Sequence, residues 1–321
     1  MDALAYVLIG AAFGFAFSMG AHYTGACMGM PYAAGAIRVS WALVVMAPLT
    51  LLGALLASGG VESTVGHGLL ATGTVSVGLA LGIVLSAFVL TSVYNLVRIP
   101  TSTIQIFVFA VVGAGLAQGI PIVWRTVETL LVLWSIAPFA AFALGFLFVW
   151  VSDRSLRSRS RLAGLPRAAA LVLVAVGAAA SFAMGANDVS NATGSFLMTG
   201  LFGPMAAGLV GGIGLAVGVL TWGRPLLERV AFDIVKLDAR MATSAQLAQS
   251  AVILASVGFG YFTSMNQALV GAMIGTGVAR GQKEIRLKAV RGILAGWAVG
   301  PVSGAALGFG ATLLLGRLGL L

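Results

Sequence analysis

The segment FAMGANDVSNATG, residues 182–194, has a degenerate copy, FSMGAHYTGACMG, at residues 17–29, and the fold prediction starts from this pair. Phe, Met, Gly, Ala and the final Gly coincide at an offset of 165 residues. A second pair, TSTIQIFVFAVVGAGLAQG at residues 101–119 and TSMNQALVGAMIGTGVARG at residues 263–281, matches at an offset of 162 residues. Two matches at nearly one offset indicate a duplicated chain, although helices rich in Gly and Ala also resemble one another by chance.

The composition is that of a membrane protein. The chain has 321 residues, of which 60% are hydrophobic and 8% are charged, and its mean hydropathy is +1.05. A soluble domain carries about 25% charged residues, and about 20 apolar residues suffice to span a bilayer. Long apolar runs recur from end to end, which predicts an all-α polytopic membrane protein. The expected crossings are residues 3–20, 41–58, 69–94, 101–119, 129–151, 168–186, 204–222, 244–262, 264–280 and 292–316.

Two further apolar runs, residues 24–37 and 189–202, are short and rich in glycine. Each is shorter than the roughly 20 residues that a crossing needs. We therefore expect both to be half-helices that dip into the membrane and return to the side they left. They would be the broken or re-entrant parts of the fold.

The duplication divides the chain into a first transmembrane repeat, residues 1–152, a basic cytoplasmic linker, residues 153–167, and a second repeat, residues 168–321. Five crossings in the first half place the second half in the opposite orientation, because an odd number of crossings changes side. With the linker in the cytoplasm, 16 of the 18 Lys and Arg residues fall inside, and only Arg125 and Arg317 fall outside. The positive-inside rule favours this orientation, which puts both termini outside the cytoplasm. Inverted repeats of this kind are common in secondary transporters.

Asp188 is the acid that the sequence places at membrane depth. Burying a carboxylate in lipid costs at least about 2.5–3.5 kcal/mol, so the residue predicts a nearby cation, a proton path or a water-filled cavity. A helix break at the neighbouring glycines would add free N–H groups for an anion and carbonyls for Na⁺. The candidate ligands of a Na⁺ or proton site are Asp188, Asn187 and Asn191. The alternative is that Asp188 and Asn191 only join helices by hydrogen bonds.

The matching positions of the first half carry His22 and Tyr23 where the second half has Asn187 and Asp188. His22 is suited to binding an anion or relaying a proton, and it is equally suited to a hydrogen-bonded packing role. We expect Tyr23 to pack or to donate its hydroxyl.

The second matched pair begins with hydroxyl-bearing residues at 101–103 and 263–264. Hydroxyls beside the free N–H groups of a helix N-terminus form an uncharged cradle for an oxyanion. Ordinary N-capping is the other explanation, and recurrence in both halves favours binding. The candidate substrate-binding residues are Thr101, Ser102, Thr103, Thr263, Ser264, Asn187, Asn191, His22, Thr24, Gln105 and Gln267.

The sequence contains no motif for catalysis or for an organic cofactor. There is no Walker A sequence for ATP, and one Cys with two His is too few for a structural zinc or haem site. The net charge of +9 comes from loops between apolar runs, so it reports topology and does not indicate a nucleic-acid partner. We expect no enzyme and no cofactor beyond a coupling ion, Na⁺ or H⁺.

The segment GANDVSNATG, residues 185–194, resembles the signature of the inorganic phosphate transporter (PiT) family, written there as GANDVANAxG in both halves. PTST at residues 100–103 is similar to that family's PVSTT-like segment. MGAHYTGACMGMPYAAGAI, residues 19–37, is closer to the sulfate permease branch, whose first signature is likewise degenerate. The resemblance covers nearly the whole chain and implies an inverted-repeat symporter that binds substrate and ions between the repeats.

Carried over position by position, the resemblance implies that Asn187, Asp188 and Asn191 belong to the cation and substrate site, and that the two Ser/Thr segments help to hold the oxyanion. The chain departs from the family pattern at His22 and Tyr23, which replace one Asn-Asp pair of a second Na⁺ site. It also retains Asp188, where sulfate permeases of this branch can carry Asn.

We therefore expect a cation-coupled symporter of a small inorganic oxyanion in the inner (plasma) membrane. Sulfate is favoured, because the first half decides the branch and because one carboxylate fewer repels a dianion less. Phosphate symport with Na⁺ or H⁺ is the alternative, and a passive anion channel and a structural subunit of a larger complex are the rival classes. The expected partners are the oxyanion and the lipid bilayer, with a homodimer left open.

Overall fold

The structure, a computed structural model, describes residues 2–97, 101–155, 167–230, 238–281 and 287–321. Within these ranges the chain forms thirteen α-helices and no β-strand. In the part of the chain that the structure describes, seven stretches are long and apolar enough to cross a bilayer, which confirms the predicted all-α polytopic membrane protein. The helices are α1 (Ala3–His22), α2 (Thr24–Ala33), α3 (Val39–Leu56), α4 (Gly59–His67), α5 (Val77–Leu96), α6 (Thr103–Gln118), α7 (Trp124–Ser155), α8 (Arg167–Thr199), α9 (Pro204–Trp222), α10 (Arg224–Val230), α11 (Ala239–Gly258), α12 (Met265–Ala279) and α13 (Leu287–Arg317).

The two glycine-rich runs expected as half-helices are instead the second parts of long helical stretches. α8 continues without interruption for 33 residues, about 50 Å at 1.5 Å per residue, so residues 189–198 lie within it. α1 and α2 meet at Tyr23 and together form one apolar stretch of 31 residues. The prediction that residues 24–37 and 189–202 return to the side they left is therefore wrong.

α5 and α6 form a hairpin whose tip reaches the middle of the bundle. At the tip, Asn95 near the end of α5 donates a hydrogen bond to the Ser18 carbonyl of α1 at 2.8 Å. At the base, the segment before α5 pairs with the segment after α6, where the Ala71 N–H donates to the Pro121 carbonyl at 2.9 Å. Both ends of the hairpin therefore lie at one end of the bundle, which we call face A.

α11 and α12 form a second hairpin, which enters from the opposite end, called face B. At its base, Arg280 after α12 pairs with Asp153 of α7 at 2.6 Å and with Asp238, the N-cap of α11, at 3.1 Å. At its tip, the Thr263 N–H donates to Asn187 Oδ1 in the interior of α8 at 3.0 Å. This hairpin also starts and ends on the same side.

The hairpins change where the re-entrant elements lie. α6 has 16 residues and α12 has 15, about 24 and 22 Å, which is less than the roughly 30 Å of a hydrocarbon core. Residues 101–119 and 264–280, expected as full crossings, are the returning arms of the two hairpins. Residues 69–94 and 244–262, also expected as crossings, belong to the entering arms.

The order of the elements repeats along the chain. In each half a long helical stretch, a second long helix, a short helix, a hairpin and a final long helix follow one another. Each half therefore has three long stretches, which is again an odd number. An odd number of crossings changes side, so this count agrees with the predicted inversion. The opposite orientation of the two halves and their bounds stay predictions.

Basic residues of the described ranges lie mainly at face B. Arg125 and Arg317 lie at face A, as the predicted split has them. Arg98, which the prediction placed in a cytoplasmic loop, is outside the described residues. Residues at face B or in helices that begin or end there are Arg38, Arg154, Arg167, Arg224, Arg240 and Arg280.

Paired glycines let α3 and α8 cross at close distance. A Cβ on Gly185 would overlap the Thr50 carbonyl oxygen, and a Cβ on Gly53 would overlap the Phe182 carbonyl oxygen. Neither side chain could be accommodated unless one helix backbone moved. The crossing therefore fixes the middle of α8, where the signature lies, against α3.

Gly185→Ala is expected to lower the melting temperature of the detergent-purified protein, because a methyl group there must push α8 away from α3. Overpacking of this kind costs about 1–3 kcal/mol. Gly10→Ala is the matched control, since a Cβ at Gly10 meets nothing within 4 Å. Equal melting temperatures for the two variants would contradict the close crossing.

Candidate functional site

His22, at the end of α1, connects the interior of the bundle to the tip of the first hairpin. Its Nδ1 lies 2.6 Å from Asn95 Oδ1, and the Asn95 amide nitrogen donates to Ser18, so the network assigns the ring proton to Nδ1. Nε2 then accepts from the Thr101 N–H at 3.2 Å and from Asn266 Nδ2 at 3.3 Å. Protein groups therefore meet both ring nitrogens of His22, and its role in binding an anion or relaying a proton stays a prediction.

Asn187 holds the second hairpin tip in the same way. Its Oδ1 accepts from the Thr263 N–H at 3.0 Å, and its Nδ2 donates to the Thr263 carbonyl at 2.8 Å. His22 and Asn187 occupy matching positions of the duplication, and so do Thr101 and Thr263. Each half therefore uses the same signature position to fix the backbone of a hairpin tip.

The two hairpin tips contact each other. Asn266 Nδ2 donates to the Thr101 carbonyl at 2.8 Å, and Gln267 Nε2 donates to Gln105 Oε1 at 3.3 Å. The Ser/Thr segments of the two halves are therefore brought together, although they are 162 residues apart in sequence. These segments and the glutamine pair are buried.

α6 and α12 both begin at this contact, each with a serine cap. Ser102 Oγ accepts from the Gln105 N–H and Ser264 Oγ accepts from the Gln267 N–H, both at 3.4 Å. Ordinary N-capping therefore occurs, and it leaves the other first-turn N–H groups without a partner inside the helix. Each helix N-terminus carries roughly half a positive charge, so two of them at one centre favour an anion there.

Asp188 lies on α8 beside the same centre and is fully buried. Its Oδ2 accepts from Asn187 Nδ2 at 3.1 Å, and the Tyr23 hydroxyl interacts with the carboxylate. Tyr23 Oη also lies 2.8 Å from Thr103 Oγ1, so it joins the acid to the first hairpin tip. Asp188 Oδ1 has no partner among the described residues. A buried carboxylate with an unpaired oxygen is stabilised by a cation, a proton or water.

Two other buried oxygens near the signature also lack partners among the described residues, Asn191 Oδ1 and Thr263 Oγ1. Asn191 follows Asp188 by three positions, which places both side chains on one side of α8. Hard cations prefer oxygen ligands. Within the described ranges no group of three or more His, Cys, Asp or Glu side chains could hold a metal ion.

Two predicted site residues have other contacts. Thr24 Oγ1 donates to the Gly223 carbonyl at 2.6 Å, so its hydroxyl joins α2 to the start of α10 and does not contact the hairpin tips. Asn191 Nδ2 lies 3.8 Å from the sulfur of Met19. The other candidate residues from the sequence lie in or beside the hairpin tips, and their roles in binding stay predictions.

Sequence reasoning missed Asn95, Asn266 and Glu62. Asn95 and Asn266 hold His22 and the first tip, and Asn266 directly follows the second Ser/Thr segment, which was a usable signal. Glu62 is fully buried against α8 although it stands in a loop-like stretch. Its signal was that it is the only acid between Asp2 and Glu128.

A buried acid beside two opposed hairpin tips, inside a bundle of membrane-spanning helices, defines a membrane transport protein. The chain belongs to the phosphate transporter family, whose family model matches residues 19–308. This confirms the resemblance seen in the signature segments. The family and the relatives below are transporters and not enzymes, as the sequence predicted.

Relatives of the chain carry different substrate names. It is 28% identical over 289 residues to the sulfate permease CysP of Bacillus subtilis, covering 89% of this chain and 81% of that protein. It is 25% identical over 316 residues to a probable low-affinity inorganic phosphate transporter of Mycobacterium bovis, covering 92% of this chain and 74% of that protein. Among solved structures, it shares the fold of a sodium-dependent phosphate transporter, with a TM-score of 0.87, 20% identity and coverage of 98% and 100%.

Proposed function

We propose that the chain is a cation-coupled symporter of a tetrahedral oxyanion, with sulfate as its favoured substrate. The observation that carries the proposal is the meeting of the α6 and α12 N-termini beside Asp188. The N-termini supply N–H groups and partial positive charge for the anion. The carboxylate supplies a site for a cation, whose charge offsets that of the anion in a cavity of low dielectric.

The preference for sulfate follows from the number of acids at the centre. The signature of the second half has Asp188, and the matching position of the first half has Tyr23. One carboxylate repels a dianion less than two would, because like charges at short distance raise its energy. The relative named a sulfate permease, which this chain matches over 89% of its length, supports the same choice. A retained Asp188 and relatives named phosphate transporters favour phosphate as the second candidate.

A carrier accounts for the burial of the centre better than a pore does. Asp188, Asn187, Thr101 and Thr263 are fully buried among the described residues. A passive channel needs a continuous polar path, whereas alternating access passes through a closed state of this kind. Movement of the two hairpins relative to the long helices would expose the centre to face A and face B in turn.

The orientation of the proposed symporter follows from its loop charges. Face B, with most of the described arginines, faces the cytoplasm by the positive-inside rule. Both termini then lie on the extracytoplasmic side of the plasma membrane. The α5–α6 hairpin enters from outside and the α11–α12 hairpin from inside.

Uptake of radiolabelled sulfate and phosphate into proteoliposomes tests this function, each anion with an inward Na⁺ gradient, an inward proton gradient or neither. We expect sulfate accumulation that depends on one of the two gradients. Greater accumulation of phosphate than of sulfate would identify phosphate as the substrate. Uptake that ignores both gradients would indicate a channel, and no uptake of either anion would contradict oxyanion transport.

A further inference from the structure

Glu62 of α4 is a buried acid that the proposed transport mechanism does not use. Its side chain is fully buried, and its Oε2 has no hydrogen-bond partner among the described residues. Its Oε1 lies 3.4 Å from Oγ1 of Thr193 on α8. Thr193 belongs to the signature segment, so α4 places a second acid close to the transport site.

The hydroxyls beside Glu62 are shared with backbone carbonyls. The Thr193 hydroxyl donates to the Val189 carbonyl at 2.9 Å and, over a longer distance of 3.4 Å, to Glu62 Oε1. The Ser58 hydroxyl, the other neighbour of Glu62, donates to the Ala54 carbonyl at 2.6 Å. Each hydroxyl has a single proton, so a carboxylate at Glu62 receives only shared hydrogen bonds from these groups, whereas a carboxylic acid can also donate its own proton to a hydroxyl oxygen.

No described basic group lies against this carboxyl. α4 packs on α8, α9 and α11. On α8 the titratable residue nearest in sequence to Thr193 is Asp188, which is also an acid. α9 has no titratable residue, and Arg240 of α11 lies at face B. His67 closes α4 itself, and Tyr261 stands next to Gly260, which contacts α4. A carboxylate at Glu62 would therefore be buried without a cation, which is costly.

α4 also contacts the tip of the second hairpin. Thr64 Oγ1 donates to the Gly260 carbonyl at 2.7 Å, three residues before Thr263. A Cβ on Gly194 would overlap Val65 Cγ1, so α4 and α8 fit closely along this surface. α4 thus covers both the signature helix and a hairpin tip on the side of face A.

We propose that Glu62 is a proton-binding site that holds α4 against α8 when it is protonated and releases α4 when it is not. Release of α4 would open the centre toward face A. That this opening leads to an anion site rests on the proposed function, whereas the proton site and the movement of α4 do not. The ligand is a proton taken from water, and no other cation is required.

The direction of the pH effect follows from burial. Burial raises the pKa of Glu62 from 4.5 to about 7, because the charged form loses its hydration. The docked state therefore binds the proton more tightly than an open, hydrated state does. Below the pKa of the open state both states are protonated and pH has no effect. As pH rises from there to about 7, the docked state is progressively disfavoured, and above about 7 the effect levels off because both states have lost the proton.

Thiol labelling of the Val65→Cys variant tests the proposal, in a Cys27→Ala background that removes the one native cysteine. Val65 is fully buried at the surface between α4 and α8, so labelling at this position reports release of α4. Exposed Ser63→Cys in the same background corrects for the pH dependence of thiol chemistry. We expect the corrected labelling rate of Val65→Cys to rise about tenfold or more between pH 5.5 and pH 8, by linkage to the Glu62 proton.

Glu62→Gln keeps the shape of the neutral acid and cannot lose a proton, so it should hold labelling at the low level at both pH values. Glu128→Gln is the matched control, because Glu128 is exposed on α7, and it should keep the rise in labelling rate with pH. A corrected rate that does not change with pH, or a rise that persists in Glu62→Gln, would overturn the proposal.

Amide hydrogen exchange of the unmodified protein gives a second reading that needs no variant. Protection of the α4 amides, corrected for intrinsic exchange, should fall between pH 5.5 and pH 8, and unchanged protection would also overturn the proposal. Neither reading depends on transport, so failure of the oxyanion uptake assay would leave it standing.

Discussion

Asp188→Asn is expected to abolish gradient-driven accumulation of the anion while the protein still folds. The amide has the size of the carboxyl and can still meet Asn187 and Tyr23, but it can neither attract a cation nor bind a proton. Loss of an interaction with a charged group costs about 1.5–3 kcal/mol, or roughly 10- to 150-fold in cation affinity. The measurement is accumulation of radiolabelled sulfate in proteoliposomes under Na⁺ and proton gradients.

The matched control for this experiment is Asp2→Asn, because Asp2 is exposed and makes no side-chain cap to α1. It should accumulate the anion as the unmodified protein does. Exchange of labelled for unlabelled anion without a gradient should survive in Asp188→Asn more than accumulation does. Unchanged accumulation in that variant would remove Asp188 from the coupling mechanism.

Asn187→Ala is expected to lower anion affinity and uptake strongly by freeing the second hairpin tip. The substitution removes both hydrogen bonds to Thr263 and leaves a buried N–H and carbonyl unpaired. Each unpaired group costs about 1–3 kcal/mol, so the loss of both pairings should make the ordered tip roughly 30- to 20,000-fold less populated. Titration calorimetry with sulfate and phosphate measures the loss directly.

Thr199→Ala serves as the control for the tip variant, since the Thr199 hydroxyl bonds only within α8 in the described structure. Its affinity should stay within about twofold of the unmodified protein, as expected for a substitution away from buried networks. His22→Asn should be tolerated better than His22→Ala, because an asparagine at the matching position already holds Thr263. Unchanged affinity in Asn187→Ala would show that the tip does not need this contact.

The long helices were predictable because they depend on local sequence. Apolar runs of sufficient length mark spanning helices, and the residues of the second signature are specific enough to identify the family. The glycines misled the prediction of helix breaks. Gly185 and Gly194 are read as flexible points, but they permit close contact of α8 with Thr50 and Val65, and the helix continues through them.

The hairpins were not predictable from apolar length, because an arm of 20 residues is long enough to cross. Only tertiary contacts show that α5 stops inside the bundle, where Asn95 meets Ser18 and His22. The Ser/Thr segments were identified as helix starts from their capping residues, and the structure places both starts at the tips. Their contact with each other required the fold.

The two buried acids also differ in how far the sequence predicts them. Asp188 was identifiable because it interrupts a long apolar run within a specific motif. Glu62 stands in a polar stretch between two apolar runs, where a charge normally faces water, and only packing of α4 on α8 buries it. The pairing of His22 with Thr101 could be suspected from the duplication only after Asn187 was seen to hold Thr263.

Anion binding to the purified protein, measured by titration calorimetry with and without the coupling cation, tests the shared centre most directly. If the anion and the cation bind together beside Asp188, then Na⁺ in place of choline, or a lower pH, should tighten anion binding at least about fivefold, the usual lower limit of coupling between sites. Asp188→Asn should remove that effect. An anion affinity that is the same under all these conditions would contradict the account.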